Sequence, residues 1–198
     1  MTLVKKSCVF FFLAFLFASG TSVFAQQADD GFGPAKKTEA QHFSVYYKQQ
    51  LDPSSLARQL DVSATDSLLA GKPVGAQGSA DTELAAALDV LFSLVCDVLD
   101  MQLYSYKGKI KICLDEGQLK ILYNNLYGKD PPNSGHVGSF YVHELNTIYV
   151  TKESFQRNIL GHEIGHAVIS NYFVVQPSIK IQEVLAGYIE YQLRKSTP

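Results

Sequence analysis

The chain has 198 residues, 46% of them apolar and 12% aromatic, enough for a packed globular core. Its 17 basic and 19 acidic residues give a net charge of −2. That balance excludes a basic stripe for nucleic acid and a polybasic membrane patch.

The first residues set the compartment. Lys5 and Lys6 precede an apolar run over residues 8–18, and residues 19–25 end in small side chains. This is the layout of a cleavable secretory signal, with the cut expected after Ala25. The run is about 11 residues, short of the ~20 a membrane anchor needs. Cleavage would leave about 173 residues, one domain's worth, with no stable membrane span. The expected location is secreted or periplasmic. Cys8 leaves with the signal. Cys96 and Cys113 remain, either as a disulfide or as two buried thiols.

Residues 26–41 are polar, bear Gly31, Gly33 and Pro34, and read as a flexible leader. The domain is expected over residues 42–198. Residues 42–47 are aromatic and β-branched with partial alternation, which reads as a strand. Residues 53–60 suit a short helix. Residues 62–80, with Gly71, Pro73, Gly75 and Gly78, read as a loop. Asp81 and Thr82 can cap a helix running to about Met101. Its residues Leu84, Leu88, Leu91, Val95 and Leu99 fall at helical spacing.

Residues 109–114 alternate Lys with apolar side chains, a strand with one wet face. Residues 116–127 read as a helix ended by Gly128, and residues 130–135 as a loop. Two strands follow, 139–143 and 147–151, joined by a turn at Glu144, Leu145 and Asn146. Thr151 then caps a helix over residues 152–171, with Glu153 in its first turn. Pro177 and Ser178 start a last helix over residues 179–194. Few strands followed by consecutive late helices predict an α+β domain: a small mixed sheet, then two helices.

The chemistry sits in His162, Glu163, Ile164, Gly165 and His166, inside the penultimate helix. Positions i and i+4 lie about 40° apart around a helix axis and one turn along it. Two imidazoles can therefore converge on one zinc ion. Glu163 flanks that direction without ligating, placed to act as general base. Catalytic zinc takes three protein ligands and a water. Glu183, 17 residues after His166 on the next helix, is the candidate third ligand. Ala186 and Gly187 follow it on the same face, where small side chains would let the two helices approach.

The chain resembles the gluzincin metallopeptidases, most closely the small peptidase MA-like group. The resemblance rests on the His-Glu-x-x-His motif and on the block Gln182, Glu183, Val184, Leu185, Ala186, Gly187, Tyr188. It extends weakly to the strand at 42–47, the long helix and the strand at 109–114. It covers roughly residues 40–195. It implies a zincin-like fold, Zn2+ on His162, His166 and Glu183, and Glu163 as catalytic base. It also implies an edge strand at 147–151 that pairs with an extended peptide or protein substrate. Gly187 departs from the pattern, because an acidic residue often stands there and orients a zinc-ligating histidine. Glu190 could serve in its place.

A donor to the reacting oxygen is also needed. Tyr188, Tyr172 and Tyr191 are candidates, Tyr188 first because it belongs to the matched block. Among the other histidines, His136 could face substrate or solvent. The expected activity is zinc-dependent hydrolysis of peptide bonds outside the cytoplasm. The alternative is a catalytically silent, zinc-stabilised peptide- or protein-binding module.

Overall fold

The computed structural model describes residues 30–71, 78–129 and 138–195. The expected signal over residues 1–25, His136 and the loop at 130–135 lie outside them. The described residues form a five-stranded mixed sheet and six helices, an α+β arrangement.

In chain order the elements are β1 (Lys36–Glu39), β2 (Phe43–Tyr47), α1 (Pro53–Gln59), α2 (Ala64–Leu69) and α3 (Ala80–Leu99). Then come β3 (Gly108–Cys113), α4 (Glu116–Tyr127), β4 (Ser139–Val142), β5 (Thr147–Thr151), α5 (Arg157–Tyr172) and α6 (Ile179–Lys195). The sheet order is β1-β2-β3-β5-β4. The inner pairs β2–β3 and β3–β5 are parallel, and the outer pairs β1–β2 and β4–β5 are antiparallel.

Period-two alternation divides the core between the sheet's two faces. Phe43, Val45, Ile110, Ile112, Ile148 and Val150 pack with the helices α3, α5 and α6. Cys113, Val142 and Tyr149 point the other way, against Leu119 and Leu122 of α4 and against Phe32. Cys96 belongs to the first cluster and Cys113 to the second, so the sheet separates them and both stay free thiols. Burial pushes the Cys96 thiol up to about 11 and the Cys113 thiol to about 12, so neither is a ready thiolate.

Four local expectations are corrected. Residues 30–40 are part of the fold: Lys36–Glu39 pairs with β2, and Phe32 is buried. A short helix, α2, replaces part of the expected loop, because Ser63 and Asp66 form a reciprocal cap. The strand at 147–151 is interior rather than an edge, lying between β3 and β4, and β4 takes the edge. Thr151 ends β5 and caps a turn by accepting from the Ser154 amide at 3.1 Å, so α5 starts only at Arg157.

Arg157 is also the fastening of α5. Its guanidinium forks onto Asp66, Nη1 to Oδ2 at 2.6 Å and Nη2 to Oδ1 at 2.9 Å, and Nη1 donates to the Asp61 carbonyl at 2.9 Å. These bonds hold the Asp66 pKa at about 2, below the ordinary 3.8. A depressed carboxylate contributes stability that is present above its unfolded pKa and is lost as pH falls through the folded value. The shift corresponds to about 2 kcal/mol. Urea midpoints should therefore fall as pH drops from about 4 to about 2, and Asp66→Asn should flatten that acid limb.

Candidate metal centre

The helix α5 is buried almost all round. Leu160, Ile164, Ala167 and Val168 face the main core. Gly161 and Gly165 face α6, and their missing side chains are what let it approach. A Cβ on Gly161 would stand 2.1 Å from Leu193 Cδ1, and one on Gly165 would stand 2.4 Å from Ile189 Cδ1. Ala186, Ile189 and Leu193 of α6 are buried against this seam. Gly187 has open space beyond it, so close approach depends on Gly161, Gly165 and Ala186 rather than on Gly187.

That packing brings the three expected ligands together. His162 Nε2 and His166 Nε2 are 3.2 Å apart. The Glu183 carboxylate bridges both, Oε2 at 3.6 Å from His162 Nε2 and Oε1 at 3.5 Å from His166 Nε2. Although Glu183 is 56% exposed, both its oxygens face the histidines. Three donors of a tetrahedral zinc site, each about 2.1 Å from the ion, stand about 3.4 Å from one another. One donor atom from each side chain can be chosen so that all three lie within 4.8 Å of one another, so the donor set is of the kinds that hold zinc and near enough to close on one ion. Burial, then the neighbouring His162, lowers the His166 pKa and favours the neutral ring that can ligate.

Glu163 is buried beside the cluster, 7% exposed. Ser139 Oγ donates to its Oε1 at 2.8 Å, and the Tyr141 backbone N–H donates to it as well. Burial pushes the carboxyl up to about 7, against the pull of the Ser139 bond, and the charges of Glu183 and Glu190 add to the rise. The edge strand β4 therefore fixes Glu163, a role that nothing in the sequence of Ser139 announces.

Glu190 approaches His162 from α6, at ion-pair rather than hydrogen-bond distance. Its Oε2 stands 3.6 Å from the buried Nδ1 of His162, which among the described residues has no hydrogen-bond partner. Asn158 Nδ2 at 3.4 Å and Arg194 hold the other oxygen of Glu190. A carboxylate on the outer nitrogen of a ligating histidine orients the ring. Removing it by Glu190→Ala should weaken zinc affinity roughly tenfold, read by competition with a chelator.

A cleft of about 610 Å3 opens on the cluster. Tyr127, Phe140 and Tyr141 line one wall, and Ile179, Gln182 and Glu183 another. His143 lies on its rim, whereas His42 is buried and stacked on Phe92. Tyr188, Tyr172 and Tyr191 do not line it; all three are exposed on the outside of the helical pair. Tyr127 and Tyr141 are the tyrosines that line it, and the Tyr141 hydroxyl donates to Asn146 at 3.0 Å and accepts from Asn171 at 3.3 Å. Burial pushes that hydroxyl up to about 12, so it stays a neutral donor. No described helix is long and apolar enough to cross a membrane. Comparison with protein-family models, curated proteins and solved structures finds no match to this chain.

Proposed function

We propose that the chain is a gluzincin-like zinc peptidase with a zincin-like fold, acting outside the cytoplasm. The observation that carries this reading is the convergence of His162, His166 and Glu183, with one donor atom from each within 4.8 Å of the others, beside a buried glutamate. His162 Nε2, His166 Nε2 and the Glu183 carboxylate would hold the ion. When bound, zinc supplies Lewis acidity, polarising a carbonyl and making water easier to deprotonate.

The remaining work belongs to the chain. Glu163 would take the water proton and return it to the departing nitrogen. Ser139 and the Tyr141 amide fix that carboxylate, so its orientation costs no entropy at the moment of reaction. The free edge of β4, rather than β5, would hold the substrate. An extended peptide laid along Ser139–Val142 would gain backbone hydrogen bonds from the groups that β4, the edge strand among the described residues, leaves open beside the Tyr141 amide held by Glu163. That edge and the histidines line the same cleft. Tyr141 replaces Tyr188 as the candidate donor to the reacting oxygen, which requires its hydroxyl to turn from Asn146, to which it donates here.

The test joins metal content to cleavage. The zinc-loaded chain should carry one zinc, lose it in His162→Ala, and cut unfolded protein only when loaded. Zinc without cleavage of any peptide in a diverse library would reduce the site to a binding module. A chain that takes up no zinc would end the reading altogether.

A further inference from the structure

The outer side of the α5–α6 pair carries an apolar surface that the proposed chemistry does not use. Between Tyr172 and Ile179 there is no charged residue. At the tip of this turn Val174 is 101% exposed and Val175 83%. The surface continues along α6. Ile181, Val184, Tyr188 and Tyr191 are all exposed. They recur at intervals of three and four, so they fall in one sector about 80° wide. Ala186, Ile189 and Leu193, on the opposite side, are the ones buried against α5. Tip and stripe together expose on the order of 1,000 Å2, more than the largest apolar patch of an ordinary monomer.

The charges around this surface select its occupant. Lys180 lies at the stripe's edge in the first turn of α6, and Lys195 continues the stripe one turn past Tyr191. Glu183 and Glu190 lie more than about 100° from its centre and are turned to the histidines. Cations at both ends, tyrosines along the stripe and an uncharged apolar tip are the features of a helix lying in a bilayer interface. A second copy fits less well. Antiparallel packing of two such stripes would bring Lys180 of one copy toward Lys195 of the other, like charge against like.

We propose that the Tyr172–Val175 tip and the outer face of α6 dock the protein on a membrane surface bearing anionic phospholipid headgroups. The valines enter the headgroup–acyl boundary and Lys180 and Lys195 meet the headgroups. This docking is independent of whether the site holds zinc.

The test uses the chain from residue 26 onward, which keeps every residue of the described fold and omits the apolar run over 8–18. Vesicles of equal parts phosphatidylcholine and phosphatidylglycerol are compared with phosphatidylcholine alone by co-sedimentation. Binding to the mixed vesicles should be at least about tenfold tighter. Val174→Ser with Val175→Ser should cut it by roughly tenfold. Lys180→Gln with Lys195→Gln should cut it by roughly twentyfold on mixed vesicles and little on neutral ones. All four positions are exposed, so circular dichroism should show an unchanged fold. Failure to bind either vesicle, or equal binding to both, overturns the proposal. So does a reversible dimer in solution that Tyr188→Ser dissociates, which would make the face an interface between copies.

Discussion

Glu163→Gln should leave zinc bound and reduce peptide hydrolysis by about a thousandfold or more. The two side chains have nearly the same shape, and the amide oxygen of glutamine can still accept from Ser139 Oγ. What the variant lacks is a lone pair basic enough to take a proton from water. Stability should not fall with activity. Glu163 is buried, and the charges of Glu183 and Glu190 already push its carboxyl toward the neutral form. An uncharged amide removes a desolvation cost and a repulsion, so the melting temperature should hold or rise. Glu163 is not a ligand, so the chelator midpoint should shift by less than a factor of three or so, whereas His162→Ala should lose the metal. Cleavage at the parent rate in a folded, zinc-loaded Glu163→Gln would remove Glu163 from the mechanism. Loss of zinc in that variant would mean that Glu163 belongs to the ligand set.

The contrast between these two variants follows the parts of the site that were legible in the sequence. The spacing of His162 and His166 is a property of any helix, so their convergence could be read without knowing where the helix packs. Glu183 could be placed because two consecutive helices joined by a short turn must lie side by side. Ser139 could not. The bond from Ser139 to Glu163 spans 24 residues, and no local pattern encodes it. Glu190 could be placed, because it lies two turns beyond Glu183 on the same side of the helix, and its carboxylate does approach His162.

The position of the edge strand differs from the sequence expectation for a related reason. Residues 147–151 and 139–142 have similar strand character. Which one lies outside depends on β5 pairing in parallel with β3, a contact across more than thirty residues. In the sequence, only its place in the matched block singles out Tyr188. The turn of α6 that aims Glu183 at the histidines aims Tyr188 about 140° away from it. The disulfide question turned on alternation: one residue of shift along β3 decides which face Cys113 takes. Here it takes the face opposite Cys96.

Metal affinity should also respond to a residue that touches no donor atom. Gly165 sits between the two histidines on α5, where a Cβ would be 2.4 Å from Ile189 Cδ1, 3.6 Å from Ala186 Cα and 3.8 Å from Ala186 Cβ. Alanine meets only the tip of Ile189, which can rotate away. Valine adds two methyl groups that also reach the backbone of α6. Replacing a mid-helix glycine by valine gains a few tenths of a kcal/mol in helix propensity. Overpacking a close helix seam costs about 1–3 kcal/mol, so the packing loss wins. The strain can be relieved by moving α6 outward, and α6 carries Glu183. Gly165→Val should therefore lower both stability and zinc affinity, the latter by roughly tenfold, as expected when a support of the ligand set is disturbed. Gly165→Ala should do much less. Adding Ile189→Ala to Gly165→Val makes room on the partner helix and should recover most of the zinc affinity, although the smaller side chain recovers less of the stability. If Gly165→Val lowers stability while the chelator midpoint stays where it was, the spacing of the two helices does not set the position of the Glu183 carboxylate.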